Sequence, residues 1–268
     1  MLKAARHKEI LALVHGGGVV EVNVLAERFQ TSPITVRRDL IELHERGLLE
    51  RTHGGAVSGG GEVIAEGWAR YETISYAERE RENHREKRAI ADLAAQLVSD
   101  GDCILLNGGT TSRQLAEALR GHRNLHVVTN GLTVAMEFAR SDSASVYLLP
   151  GNVDFHKMAS VCRPAPGTFD DITVRAAFLG VHGISAAAGI GMLAPEEAAM
   201  NRAFIDAAQS VNVMVDSSKF RAQAIFRIAH LDRVTRVITD AGIEASTRAA
   251  LEKMGVEVLV ASPDDAAA

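Results

Sequence analysis

Along the first 57 residues, apolar positions recur at helical spacing in three short bursts. Ile10, Leu13 and Val14 share one face of a first helix. Val22, Leu25, Ala26 and Phe29 follow the i, i+3, i+4, i+7 pattern of a second. A third opens at Ser32, an N-cap residue type, with Pro33 at the first helical position, where a missing N–H costs nothing. Val36, Leu40 and Leu43 form its inward stripe. At about 100° per residue, Ile34 and Arg38 then lie on the opposite face, flanked by Thr35 and Arg37. The run "LLERTHGGAV" that follows reads as a short hairpin turning at Gly54-Gly55.

The pattern breaks at "SGGG", Ser58 to Gly61, where glycines suit a hinge. A charge-dense stretch follows. It turns amphipathic at Ala89, Ile90, Leu93, Ala94 and Leu97, which predicts a helix docking on a second domain. From residue 102, runs apolar throughout alternate with helical stretches. The runs fall at 103–107, 125–129, 146–150, 176–181, 211–216 and 236–240. The helices fall near 111–120, 131–140, 196–209 and 243–254. Short, wholly apolar strands suit a parallel sheet covered on both faces. The chain therefore reads as α/β: a winged helix-turn-helix over 1–57, a connector over 58–88 and a doubly wound α/β domain over 89–268. The last residues, "SPDDAAA", read as a frayed tail.

No apolar run approaches the roughly 20 residues needed to cross a bilayer, and the charged N-terminus reads as an amphipathic helix, not a signal peptide. Cys103 and Cys162 lack the spacing of a zinc or redox pair, and Cys103 sits in the apolar run "CILLN" as a buried free thiol. A cytoplasmic setting fits. The net charge is −5, yet Met1 to Val57 carries 8 Lys+Arg against 7 Asp+Glu. Bulk charge therefore excludes wholesale nucleic-acid binding, and DNA contact has to come from locally placed cations.

The third helix has that placement. A capped helix with cations near its start can enter a major groove, where Arg forks onto guanine or grips phosphate and Ile34 touches a thymine methyl. Ser32, Ile34, Thr35, Arg37 and Arg38 are the candidates. The hairpin would be a wing carrying Arg51 and His53 to the backbone or minor groove. A small helical subdomain with a solvated arginine pair has the same periodicity.

In the second half, "LLNGGTTSRQLAEAL" runs a strand into two glycines, three hydroxyls and a helix. Glycines admit an anion close to the backbone, and helix-start N–H groups hold it. Gly108, Gly109, Thr110, Thr111 and Ser112 are candidates. Thr129, Asn130 and Gly131 end the next strand, and carboxyl-end loops line the crevice in open α/β sheets. In "VDSSKF", Lys219 could neutralise phosphate and Asp216 could accept from sugar hydroxyls. His182 either reaches the ligand or is a satisfied histidine beside it. Each junction alone is also compatible with a tight, well-capped turn. Neither a dinucleotide fingerprint nor a Walker loop is present. His156, Cys162 and His182 lack metal-ligand spacing, so no metal and no cofactor is expected. Glu196 and Glu197 suit the positive end of a helix, and Trp68 suits packing.

Arg6, Ile10, Val14, Ser32, Thr35, Val36, Arg37, Arg38, Asp39 and Leu40 fall at the spacings of DeoR-type (glycerol-3-phosphate-repressor-like) bacterial transcription regulators, and "GLLERTHGGAV" resembles that family's wing. "EKRAIADLAAQLVSDGD", "NGGTTSRQLAEAL", "VVTNGL", "FLGVHGI", "APEEAAMNRAFIDAA" and "VDSSKF" follow in the family's order. The resemblance implies an effector domain of ribose-5-phosphate isomerase/CoA-transferase-like fold and a phosphorylated sugar or sugar-derived ligand at the GGTT and TN positions and near Lys219. It also implies double-stranded operator DNA as partner, most often for repression. A homodimer or homotetramer is expected, because paired half-sites multiply affinity. Three departures stand out: Glu21 where a Ser or Thr cap is common, Asn107 where Asp is common, and Cys162 where glycine is typical, in a segment expected to line the pocket. The rival reading is a sugar-phosphate isomerase-like enzyme with Asp216, Glu196 or His182 as base.

Overall fold

The computed structural model describes residues 3–17, 19–45, 48–51, 54–57, 74–139, 144–162, 164, 168–169, 172–222 and 224–262. The chain divides into two units, Met1–Glu72 and Thr73–Ala268.

The first unit holds helices α1 (Lys3–Gly17), α2 (Val22–Arg28) and α3 (Pro33–Glu45) with strands β1 (Val19–Glu21), β2 (Glu50–Arg51) and β3 (Gly55–Val57). The strands form an antiparallel sheet in the order β1-β3-β2. Ile10, Val14, Leu25, Val36, Leu40 and Leu43 are buried as their spacing requires, and Phe29 is buried just beyond α2. Leu13 is only half-buried. Glu21 stands at the N-cap of α2 and makes no side-chain cap bond, as its residue type suggests.

Gly55 departs from the expected hairpin turn. It is the first residue of β3, paired with Glu21, and a Cβ there would overlap the Val20 carbonyl oxygen. Its glycine serves a close approach of two strands, and the chain reverses before it.

The second unit begins with α4 (Tyr76–Arg81) and α5 (His84–Ala95). Residues 74–88, read from sequence as connector, are thus part of this unit. The hinge expected at 58–61, Trp68 and the tail from 263 lie outside the described residues.

Seven strands form the main sheet: β4 (Cys103–Leu106), β5 (Leu125–Thr129), β6 (Ala144–Leu148), β9 (Val174–Gly180), β12 (Ala208–Met214), β14 (Arg236–Asp240) and β15 (Glu257–Ala261). Their order is β15-β14-β12-β9-β4-β5-β6, and every neighbouring pair is parallel. A hairpin of β7 (Asn152–Asp154) and β8 (Ala159–Val161) and a small antiparallel sheet of β10 (Gly183–Ser185), β11 (Gly189–Met192) and β13 (Phe226–Ala229) complete the strands.

Alternate residues of one strand enter different cores. Ile104, Leu106 and Phe178 pack with Ile90 of α5, Leu115 of α6 (Thr110–Ala118) and Phe138 of α7 (Leu132–Phe138). Leu105, Leu179 and Val213 pack instead with Phe204 of α8 (Pro195–Ala207) and Leu251 of α9 (Ala245–Lys253). Two-sided burial is why these strands are apolar throughout, and it makes the unit a doubly wound α/β fold. Cys103 opens β4 half-buried, less enclosed than the apolar run implied. No described helix is long and apolar enough to cross a membrane.

Candidate functional site

In the first unit, Ser32 caps α3. Its Oγ accepts from the Thr35 N–H at 3.2 Å, and the two hydroxyls lie 2.9 Å apart. With Val36, Leu40 and Leu43 turned inward, Ile34 is left 62% exposed, and Arg37 and Arg38 are exposed beside it. Neither arginine makes an ion pair among the described residues. An apolar tip and two cations uncompensated within the fold thus share one helix start. Arg51 lies in β2 with its side chain outside the described residues, as is all of His53.

Behind this face, the helix is fixed by a charge. Asp39 lies on the buried stripe, 3% exposed. Arg6 reaches it from α1 with Nε at 2.5 Å from Oδ2 and Nη2 at 3.1 Å from Oδ1, and His7 Nε2 lies 3.0 Å from Oδ1.

In the second unit, the sheet order reverses direction between β4 and β9, the point where open α/β sheets form a ligand crevice outside their carboxyl ends. Asn107, just past β4 and 2% exposed, binds across that point. Its Nδ2 donates to the Gly180 carbonyl at 2.8 Å and to Asn201 Oδ1 at 2.9 Å. Its Oδ1 accepts from the Gly180 N–H and from Ser112 Oγ, each at 2.9 Å. Ser112 is thereby committed to the fold and fully enclosed.

The glycine loop is likewise fixed from the side. The Gly108 N–H donates to Asn130 Oδ1 at 2.8 Å, and Asn130 Nδ2 donates to the Ser160 carbonyl at 3.0 Å. A Cβ on Gly131 would lie 2.9 Å from the Gly108 Cα, so the two loops touch. Thr129 is enclosed, and its Oγ1 accepts from the Gly131 N–H at 3.0 Å. Gly109 is different: a Cβ there would meet nothing within 4 Å. It stands at the N-cap of α6, whose first N–H groups, including those of Thr110 and Thr111, lack partners within the helix. The open part of the cradle is therefore Gly109, Thr110 and Thr111, while Asn130, Thr129 and Ser112 shape it.

The Asp216 carboxylate is the side-chain cap of the turn Ser217–Phe220. Its Oδ1 accepts from the Ser218 N–H, from Ser218 Oγ and from Asn83 Nδ2 at 2.9 Å. That work differs from the sugar-hydroxyl acceptor expected from sequence. His182 is half-buried, and its Nδ1 accepts from the Leu193 N–H at 3.1 Å, so Nε2 carries the proton of a neutral ring. Burial, followed by the charges of Lys219, Arg79 and Lys157, pushes its pKa down to about 3. His182 can only donate a hydrogen bond here.

That shift also reveals a group that periodicity did not single out. Arg79, Lys157 and Lys219 crowd His182 electrostatically, and Lys219 and Arg79 act on Lys87, whose pKa burial and these neighbours lower to about 8. Four cations from four parts of the chain thus gather round the carboxyl ends of the strands, with Asp216 and Glu82 as the carboxylates that act on Lys87. Two sequence signals pointed there. Ser75-x-x-Glu78 spells a capping box, which the structure forms, and Lys87 sits at helical spacing with the buried Ile90, Ala91 and Ala94.

The comparisons with known proteins agree with this division. A family model described as the DeoR-like helix-turn-helix domain matches residues 6–59, and one described as the DeoR C terminal sensor domain matches residues 82–241. Transcriptional repressor AccR of Agrobacterium fabrum is 33% identical, with 96% of this chain and 97% of that protein covered. The glycerol-3-phosphate regulon repressor of Escherichia coli is 30% identical, with 90% and 92% covered. Among solved structures, ribose 5-phosphate isomerase A from Methanocaldococcus jannaschii aligns with a TM-score of 0.37 at 17% identity, over 52% of this chain and 55% of that one.

Proposed function

We propose, from the premise that this chain belongs to the DeoR family of helix-turn-helix transcriptional regulators, that it represses a carbohydrate-catabolic operon under control of a phosphorylated sugar or sugar-derived effector. One observation carries the reading. The chain pairs an outward Ile34–Arg37–Arg38 face, uncompensated within the first unit, with a cationic crevice at the sheet reversal of the second. The first suits a major groove and its phosphates. The second suits a phosphate seated on the Gly109–Thr111 helix start near Lys219. A homodimer or homotetramer acting in the cytoplasm fits, since one winged helix alone gives limited affinity and paired half-sites raise it. Effector control requires that the ligand bind one arrangement of the protein better than another.

The isomerase reading is the weaker one. It needs a positioned base. Asp216 is occupied as a cap, and His182 already uses Nδ1 as an acceptor. We expect no aldose–ketose isomerisation of any sugar phosphate that binds.

Arg38→Ala should weaken operator binding by about 1–3 kcal/mol, roughly 5- to 150-fold, with effector affinity unchanged. Fluorescence anisotropy on operator DNA at fixed salt reads the first, and thermal stabilisation by a panel of phosphorylated sugars reads the second. Operator affinity equal to wild type would overturn the assignment of the α3 face. In the same panel, Thr111→Val and Lys219→Ala should lose the stabilisation, and its retention in both would remove these residues from the site.

A further inference from the structure

The glycine loop and the Lys219 turn approach the crevice from the sheet. A second set of groups arrives from the chain just ahead of α5. At its start, the Tyr76 hydroxyl donates to the Gly109 carbonyl at 3.5 Å and lies 2.7 Å from Thr133 Oγ1. Burial holds that phenol above its usual pKa, so it stays a donor. Glu80 pairs with Arg113 of α6 at 2.6 Å. Arg79 lays its guanidinium near the Tyr76 ring and donates from Nη2 to the His156 carbonyl at 2.7 Å, in the turn between β7 and β8. Asn83, in the left-handed region at φ 48°, donates to Asp216. Lys87 Nζ donates to the Arg79 carbonyl at 2.5 Å. This segment therefore touches the loop after β4, the β7–β8 turn and the loop after β12.

We propose that residues 74–87 form a strap across the effector crevice, and that Arg79 and Lys87 on it bind the anionic group of the effector. This rests on the effector reading above and deepens it. Occupancy would then be registered by the first described stretch of chain after the DNA-reading unit.

Lys87 supplies the physical reason. Its ammonium is 6% exposed, on the apolar face of α5, and among the described residues its one hydrogen bond goes to a neutral carbonyl. An ammonium has three donors and a large desolvation cost. Asp216 and Glu82 favour its charge, while Lys219 and Arg79 oppose it. An anion seated between Arg79, Lys87 and Lys219 would reverse that balance and return the lysine to full protonation. With a pKa near 8 in the ligand-free protein, Lys87 should take up a proton on anion binding at pH 8.5.

The test uses the full chain and inorganic phosphate. Phosphate affinity, read by calorimetry, should weaken at least tenfold in Arg79→Met and in Lys87→Met. Arg81→Ala, an exposed neighbour on α4, should stay within threefold of wild type. At pH 8.5, titrations in buffers of differing ionisation enthalpy should show proton uptake in wild type and none in Lys87→Arg, a readout that survives if the methionine variants fail to fold. Hydrogen exchange over 76–87 should slow with phosphate. Wild-type affinity in both methionine variants, persistent uptake in Lys87→Arg, or no wild-type response to phosphate at tens of millimolar would overturn the strap. In each case, the sugar-phosphate panel decides the effector reading separately: a panel that stabilises wild type leaves that reading standing.

Discussion

Replacing Asp39 with alanine is expected to unfold the DNA-reading unit and abolish operator binding, although Asp39 faces away from DNA. The substitution strands the Arg6 guanidinium, itself 9% exposed, without its carboxylate. Breaking a buried pair from one side costs about 3–5 kcal/mol, because the remaining charge stays desolvated. A unit of this size has a core that supplies little more than that. Removing both ends tells cost from pairing: Arg6→Met with Asp39→Leu should recover most of the loss, leaving only the His7 bond missing. Urea unfolding of the full chain, with hydrogen exchange at amides of α1 and α3, measures both. An exchange pattern unchanged in Asp39→Ala would sink the account.

The pair also has a pH signature. Burial alone would raise the Asp39 pKa, but the hydrogen bonds and charges of Arg6, then of His7, outweigh it and hold the carboxyl below its ordinary value. The folded value being the lower one, the contribution is fully present above the ordinary carboxylate range near 4. It is lost as pH falls through the folded value. The first unit should therefore loosen in acid, and the Met/Leu double variant should lack this component.

How much of this was legible depends on the range of each interaction. The α/β rhythm could be read because strands covered on both faces are apolar at every position, and six of the seven main strands stood out on that ground. The seventh, Glu257–Ala261, is an edge strand with an exposed first residue, so its pattern is diluted. Strand Val19–Glu21 is three residues long and runs directly into α2. The small sheet pairs Ile190 with Ala229, far apart in sequence, with no local turn to announce it. The same rule holds for the sites. Gly109 and its hydroxyls were visible because a strand–glycine–helix junction is a local arrangement. That Thr129, Asn130 and Asp216 would be occupied in shaping loops was not, since their partners come from other segments. Arg79 and Lys87 sat in a charge-dense run that reads as solvent-exposed. Only the placement of α5 on the sheet turns Lys87 inward.

Asn107 shows what the departure from the family's common aspartate does physically, and it carries the other large expected effect. Asn107→Asp should cost about 3 kcal/mol at neutral pH. The amide presents two donors to the Gly180 carbonyl and Asn201 Oδ1, while its oxygen receives the Gly180 N–H and Ser112 Oγ. A carboxylate keeps the second pair and sets an anionic oxygen against two acceptors in a nearly dry site. Each buried polar group left unpaired costs about 1–3 kcal/mol. Turning the Asn201 amide over would give the carboxylate a donor, but it would remove the one Asn201 Nδ2 now gives the Glu197 carbonyl at 2.8 Å. A cation at position 201 removes the conflict without that exchange, so Asn107→Asp combined with Asn201→Lys should regain most of the stability. The two asparagines are then one unit, a neutral clasp where β4 and β9 part, and the crevice floor is uncharged because both members are. Thermal unfolding of the two single variants and the double variant gives the coupling energy directly. Additive losses, with no rescue, would show that Asn201 does not answer the charge at 107. The fourfold bonding of Asn107 would then be incidental to its identity.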